Sequence, residues 1–147
     1  MKEFLKDFQN TLDQAVQRLK SVSPEQANSA RAAGKWTRQE ILGHLVDSAA
    51  NNHQRFVRVP LQAGVSVPGY QQNDWVRSQH YQDYDWQQLV SFWHLYNSHL
   101  LYVIKFIPDT SLKNTFSLNG ETLELEFVIR DYLRHMKHHL EQIFEGL

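Results

Sequence analysis

One uninterrupted amphipathic stretch, Leu123 to Phe144, constrains this chain more than any other. Leu125, Val128, Ile129, Tyr132, Met136, Leu140 and Ile143 recur at steps of three and four, and no Gly or Pro interrupts them. That spacing predicts a helix with one apolar face. His135 and His139 lie four apart, one turn from each other, on the side shared with Tyr132 and Ile143. Two imidazoles at the edge of a core cost free energy unless something satisfies them, and a bound cation would do so. A His-x-x-x-His pair also arises by chance in a chain with eight histidines. A metal reading therefore needs a further ligand from elsewhere, because transition-metal sites take three or four protein ligands.

Three more helical stripes precede this one. Phe4, Phe8, Leu12, Ala15, Leu19 and Val22 predict a helix near residues 2–21. Ser23-Pro24-Glu25-Gln26 reads as a capped short helix, followed by a loop at Ala32-Ala33-Gly34. Thr37-Arg38-Gln39-Glu40 is a capping box, with Trp36 placed to staple onto Ile41. The helix it opens should span about 37–59 and stop at Pro60, with Ile41, Leu42, Leu45, Ala49 and Phe56 on its apolar side. His44 falls between Ile41 and Leu45 on that side, either as a core-edge histidine bonded to a backbone carbonyl or as a ligand. A third long helix is expected over about 86–107, with Leu89, Phe92, Trp93, Tyr96, Leu100, Val103, Ile104 and Ile107 facing inward. His94 and His99 flank its stripe without a partner at ligand spacing.

Residues 60–85 carry no long period and are broken by Pro60, Gly64, Pro68 and Gly69, yet they are rich in aromatic side chains. A segment of that length is either a packed crossover or a pocket wall. Tyr70, Trp75 and Tyr81 are expected to line or cover one end of the pocket. Asn119-Gly120 signals a hairpin turn, and Thr122 is the expected cap of the last helix, near 122–145. The sum is an all-α chain forming one domain over 1–147, an up-down four-helix bundle with a long crossover between its second and third long helices. Bundles build metal sites from inward side chains on facing helices, which places His44 to meet His135 and His139.

Composition excludes several functions. A net charge of −1, with Lys and Arg scattered, gives no field for nucleic acid. No apolar run is long enough to span a bilayer, and the first residues lack a secretory apolar core, so a cytoplasmic protein without membrane partners is expected. With no cysteine, the chain has neither a disulfide nor its own thiol nucleophile.

Lys35-Trp36-Thr37-Arg38-Gln39-Glu40-Ile41-Leu42-Gly43-His44-Leu45-Val46-Asp47 resembles the second-helix motif of the DinB-like superfamily, with a histidine eight residues after the tryptophan. Asp131-Tyr132-Leu133-Arg134-His135-Met136-Lys137-His138-His139-Leu140-Glu141-Gln142-Ile143 is similar to that superfamily's last-helix motif. The resemblance extends over essentially the whole chain. It implies a divalent transition metal, zinc or nickel foremost, held by His44, His135 and His139. His138 occupies a position where the family often has a histidine that is not a ligand, and it points about 100° away from His139. The resemblance further implies a homodimer and a small-molecule substrate. The first activity it suggests is thiol-dependent S-transfer of the bacillithiol type to a small electrophile. A metal-dependent hydrolase is the alternative, and a non-catalytic metal-stabilised binding module or a metal-free histidine cluster are the others. Asp47 and Asp131, each one turn from a histidine of the set, are candidates for proton handling or for orienting a ligand.

Overall fold

The computed structural model describes all 147 residues. Helix α1 spans Lys2–Lys20 and the short α2 spans Pro24–Ala27, opened by the Ser23/Gln26 capping box. Helix α3, Arg38–Leu61, starts at the expected box: Thr37 N–H donates to Glu40 at 2.8 Å, and Glu40 N–H donates to Thr37 Oγ1 at 3.1 Å. It runs two residues past the expected stop, so Pro60 lies in its last turn. Pro60 cannot donate to the Phe56 carbonyl, so one bond of the ladder is lost in the last turn, and Asn114 Nδ2 donates at 3.1 Å to the Val59 carbonyl, which the end of the helix leaves open. The crossover contains strand β1 (Ser66–Val67), helix α4 (Gln72–Ser78) and a 3₁₀ turn at Tyr81–Asp83. Helix α5 is Trp86–Lys105, with Asp85 accepting from Gln88 N–H at 2.8 Å as its cap. A second 3₁₀ turn (Asp109–Lys113), strands β2 (Thr115–Leu118) and β3 (Glu121–Glu124), and helix α6 (Leu125–Phe144) complete the chain.

The helix arrangement corrects the simple up-down expectation. Helix α3 packs chiefly on α5 and α6, and so does α1. Helices adjacent in sequence, α1 with α3 and α5 with α6, therefore face each other across the diagonal. Trp86 Nε1 donates to the Leu19 carbonyl, and Leu5 shares a groove with Leu101, so α1 and α5 are antiparallel. Phe8 meets Tyr132 and Arg18 covers Phe144, so α1 and α6 are parallel. Gln39 reaches the Tyr84 carbonyl and His53 meets Tyr96, making α3 and α5 parallel as well. Arg38 meets Ile143 and Phe56 meets Tyr132, which sets α3 against α6. The order of directions is thus up-down-down-up. The crossover makes this possible: α3 has 24 residues, about 36 Å of rise, and residues 62–85 carry the chain back along it before α5 begins.

The small sheet, in the order β1-β2-β3, closes the far end of the bundle. Asn119 (φ 52°) and Gly120 (φ 85°) both adopt left-handed backbone, as the tight hairpin turn requires. The hairpin pairs Thr122 with Ser117 and Leu123 with Phe116. Thr122 is therefore a strand residue and not the cap of α6, which starts three residues later than expected with Glu124 ahead of it and no side-chain cap. A single core of buried apolar side chains runs through all four long helices. On α5 the buried face is Leu89, Val90, Trp93, Leu100 and Ile104, whereas Phe92, expected inside, is exposed together with Leu95, Tyr102 and Phe106. No helix is long and apolar enough to cross a membrane.

Candidate metal centre

The first turns of α3 and the last turns of α6 meet at one end of the bundle, and Arg38 joins them there. Its Nε donates to the Ile143 carbonyl at 2.8 Å, and a terminal nitrogen donates to the Glu145 carbonyl at 2.7 Å. These are carbonyls of the α6 C-terminus, which lack partners within the helix. Arg38 is itself buried, so the two helix ends are held in fixed register.

That register brings His44, His135 and His139 together. His135 Nε2 lies 3.2 Å from His44 Nε2 and 3.1 Å from His139 Nε2. One ligand atom from each of the three falls within 4.8 Å of the others. Ligands at zinc–nitrogen bond length stand ~3.3–3.4 Å apart on a tetrahedron and ~2.9 Å apart at right angles. The two spacings from His135 lie between these values, and the third pair, His44 and His139, has ring centroids 4.7 Å apart, so the three rings surround one point of the size an ion occupies. Three imidazole edges turned on a single point also leave too few hydrogens to satisfy one another, which is the polarity of a cation site. His139 Nδ1 lies 2.8 Å from Gln142 Oε1. An N–H donated there leaves Nε2 as the lone-pair nitrogen. His44 is buried, and its Nδ1 has no hydrogen-bond partner.

Burial pushes the His44 imidazole down to about 3, with its two neighbours adding to the effect. Burial likewise lowers His135 to about 4, reinforced by His139. His139 is also lowered by burial, partly opposed by its bond to Gln142. The cluster is therefore neutral at pH 7, the state in which imidazole binds a metal.

The other expected residues are placed differently. Asp131 turns outward to pair with Arg134 and makes no hydrogen bond to the cluster. Asp47 is buried, and its Oδ1 accepts from the Tyr81 hydroxyl at 2.7 Å and from Gln79 Nε2 at 2.6 Å. Burial raises its carboxyl, and those two hydrogen bonds oppose the rise. It too is not bonded to a histidine of the cluster, although its Oδ2 is free. Its bonds fasten the crossover to α3, and Tyr81 packs so closely on Gly43 that a Cβ there would fall 2.2 Å from the ring. His138 is exposed and lies 3.0 Å from Gln142 Nε2 through its own Nε2, outside the cluster. His99 sits 5.2 Å from His53, ring to ring, far along α3 from His44.

A groove of about 310 Å³ opens beside His139. Trp36 forms one wall, its ring 5.0 Å from that of His44, and the crossover contributes Gln72 and Asn73. Of the aromatic side chains expected to line the pocket, Tyr81 is buried as an anchor. Tyr70 packs on Trp75, 5.1 Å away, and neither lines this groove. The position of Trp36 next to the capping box pointed to a staple, and its place against His44 follows from the same turn of chain. Gln142, three residues after His139, carries the helical spacing that lets it orient the ring.

An interior histidine cluster between facing helices of a four-helix bundle defines the class. The family model of the DinB superfamily matches residues 7–143, and the chain belongs to that superfamily. The fold is similar to that of YfiT from Bacillus subtilis, described as a probable metal-dependent hydrolase with an unusual four-helix bundle topology. That likeness has a TM-score of 0.84 at 20% identity and covers 99% of this chain and 86% of the other. No curated protein is recognisably similar in sequence.

Proposed function

We propose that this protein is a metal-dependent hydrolase acting on a small molecule, with His44, His135 and His139 as the metal ligands. The observation that supports this most is the convergence of three neutral imidazoles beside an open groove, with His135 Nε2 3.2 Å from His44 Nε2 and 3.1 Å from His139 Nε2. Zinc or nickel suits such a donor set. A divalent ion with three protein ligands and open positions supplies Lewis acidity that lowers the pKa of a bound nucleophile. The chain's own residues do the rest. Gln142 fixes the His139 tautomer, Arg38 holds α3 and α6 in the register that the three ligands need, and Trp36 shields the buried His44 from solvent. Asp47, with Tyr81 and Gln79, keeps the crossover in place so that Gln72 and Asn73 stand at the groove.

The same donor set would serve a thiol in place of water, and the absence of cysteine means that such a thiol would be a cosubstrate. The donor set does not choose between the two, and hydrolysis is put forward because the structural neighbour YfiT is described as a probable metal-dependent hydrolase. The deciding assay loads purified chain with zinc or nickel. It then compares hydrolysis of model esters and amides with transfer from low-molecular-weight thiols to model electrophiles. Metal-dependent hydrolysis abolished by His139→Ala supports the reading. Metal-dependent transfer without hydrolysis replaces it with the transferase, and neither activity at a loaded site leaves a binding module.

A further inference from the structure

The groove beside His139 has a charge pattern that the metal cluster does not explain. Arg31 and Lys35 stand on its wall with Trp36, Gln72 and Asn73, and no carboxylate lines it. Arg31 shares its charge with Glu145 at 3.1 Å, a residue outside the groove lining, whereas Lys35 makes no side-chain hydrogen bond or ion pair. The loop that carries both cations is held in shape. Ala30 and Thr37 form an antiparallel bridge, Arg38 N–H donates to the Ser29 carbonyl at 3.1 Å, and Lys35 N–H donates to the Ala32 carbonyl at 3.2 Å. Gly34, at φ +75°, makes the tight return between them. Two cations on a braced loop, an indole face and two side-chain amides around one opening match a ligand with an anionic end and a flat or apolar body.

We propose that the substrate carries a carboxylate remote from its reacting bond. Arg31 and Lys35 receive the carboxylate, Trp36 packs on the body, and the reacting group lies at the His139 end of the groove. This rests on the hydrolase reading of the histidine cluster, and it adds the substrate class.

The test uses two esters that differ only at the far end: the 4-nitrophenyl monoester of succinate, which is anionic, and its methyl-capped diester, which is neutral. The metal-loaded wild type should favour the anionic ester at least tenfold in kcat/KM, chiefly through KM, and the preference should shrink at high salt. In Arg31→Ala/Lys35→Ala the ratio should fall to near one, while Arg31→Lys/Lys35→Arg should keep most of it. Lys35→Ala alone leaves the Arg31–Glu145 pair intact and should lose part of the preference. An equal rate for both esters in the wild type, or a preference that survives the double alanine variant, overturns the proposal. Calorimetric titration with succinamate and succinamide reads the same discrimination without turnover. It therefore decides the matter even if neither ester is cleaved and the hydrolase reading fails. Tighter binding of succinamate that the double alanine variant abolishes supports the cationic groove. Equal affinities, or a preference that survives the double alanine variant, refute it.

Discussion

His44→Leu should make the metal-free protein more resistant to acid. In the fold His44 is 1% exposed, its Nδ1 has no partner, and burial holds its imidazole down to about 3 from 6.5. The sign follows from proton counting. Below pH 6.5 the unfolded chain takes up a proton at this residue and the folded chain does not. Stability is therefore full above 6.5 and is lost progressively as pH falls towards 3. Between pH 7 and pH 5 the folded ring stays neutral, and the loss from this one group is about 2 kcal/mol. His135, lowered to about 4, pulls in the same direction in both proteins. Leucine at 44 carries no proton, so the stability gap between variant and wild type should widen by about 2 kcal/mol over that interval. For a chain of this size that is roughly 4–8 °C in Tm. Urea unfolding at both pH values, with a chelator present so that metal binding does not intrude, measures the gap. Parallel pH dependence in the two proteins would refute the claim that this imidazole is held neutral by burial.

Three further outcomes follow from the same geometry. Gly43→Ala drives a methyl group into the Tyr81 ring, and the displacement also strains the Tyr81–Asp47 bond. It should cost about 1–3 kcal/mol in thermal or urea unfolding, and Gly43→Ala with Tyr81→Leu should recover part of that. Arg38→Ala removes the charged donor from the Ile143 and Glu145 carbonyls. Stability should fall by about 1.5–3 kcal/mol, and zinc affinity should fall with it, measured by competition against a chromophoric chelator. Gln142→Leu leaves the fold intact but frees the His139 tautomer. Zinc affinity should drop about 10–100-fold with little change in unfolding, and an unchanged affinity would show that Gln142 does not orient the ring.

The long helices and the shared side of His135 and His139 were legible because each depends on local periodicity and caps, whereas the meeting of His44 with that pair was supplied by the bundle architecture and the family resemblance. The Thr37/Glu40 box fixes where α3 begins, and three-and-four spacing fixes which side His135 and His139 share. Direction and neighbour order were not legible. An apolar stripe says that a helix is covered, but not by which helix, and the up-down-down-up order is set by how far residues 62–85 travel. Phe92 and Val90 illustrate a second limit. Both fit a period of 3.6 within α5, and only the rotation imposed by α1 and α3 buries Val90 and exposes Phe92. Thr122 and Leu123 fit a helix start and a strand equally well, and the Asn119-Gly120 turn decides for the strand by bringing Ser117 and Phe116 opposite them. Asp131 has helical spacing to His135, but Arg134 captures its carboxylate at the surface. The groove is not legible in the sequence because Arg31, Lys35 and Trp36 come from a loop, and Gln72 and Asn73 from a short helix, with no periodicity to link them to His139.

The most direct test of the metal reading is metal content per chain, by elemental analysis of untagged protein and its variants after zinc loading and removal of excess ion, paired with X-ray absorption of the loaded wild type. The wild type should hold one zinc per chain with three imidazole nitrogens at ~2.0–2.1 Å. His138→Ala should keep the ion, and His139→Ala should lose it. One ion retained per chain in both variants, or a first coordination sphere without three histidine nitrogens, would contradict the assignment of His44, His135 and His139 as the ligands.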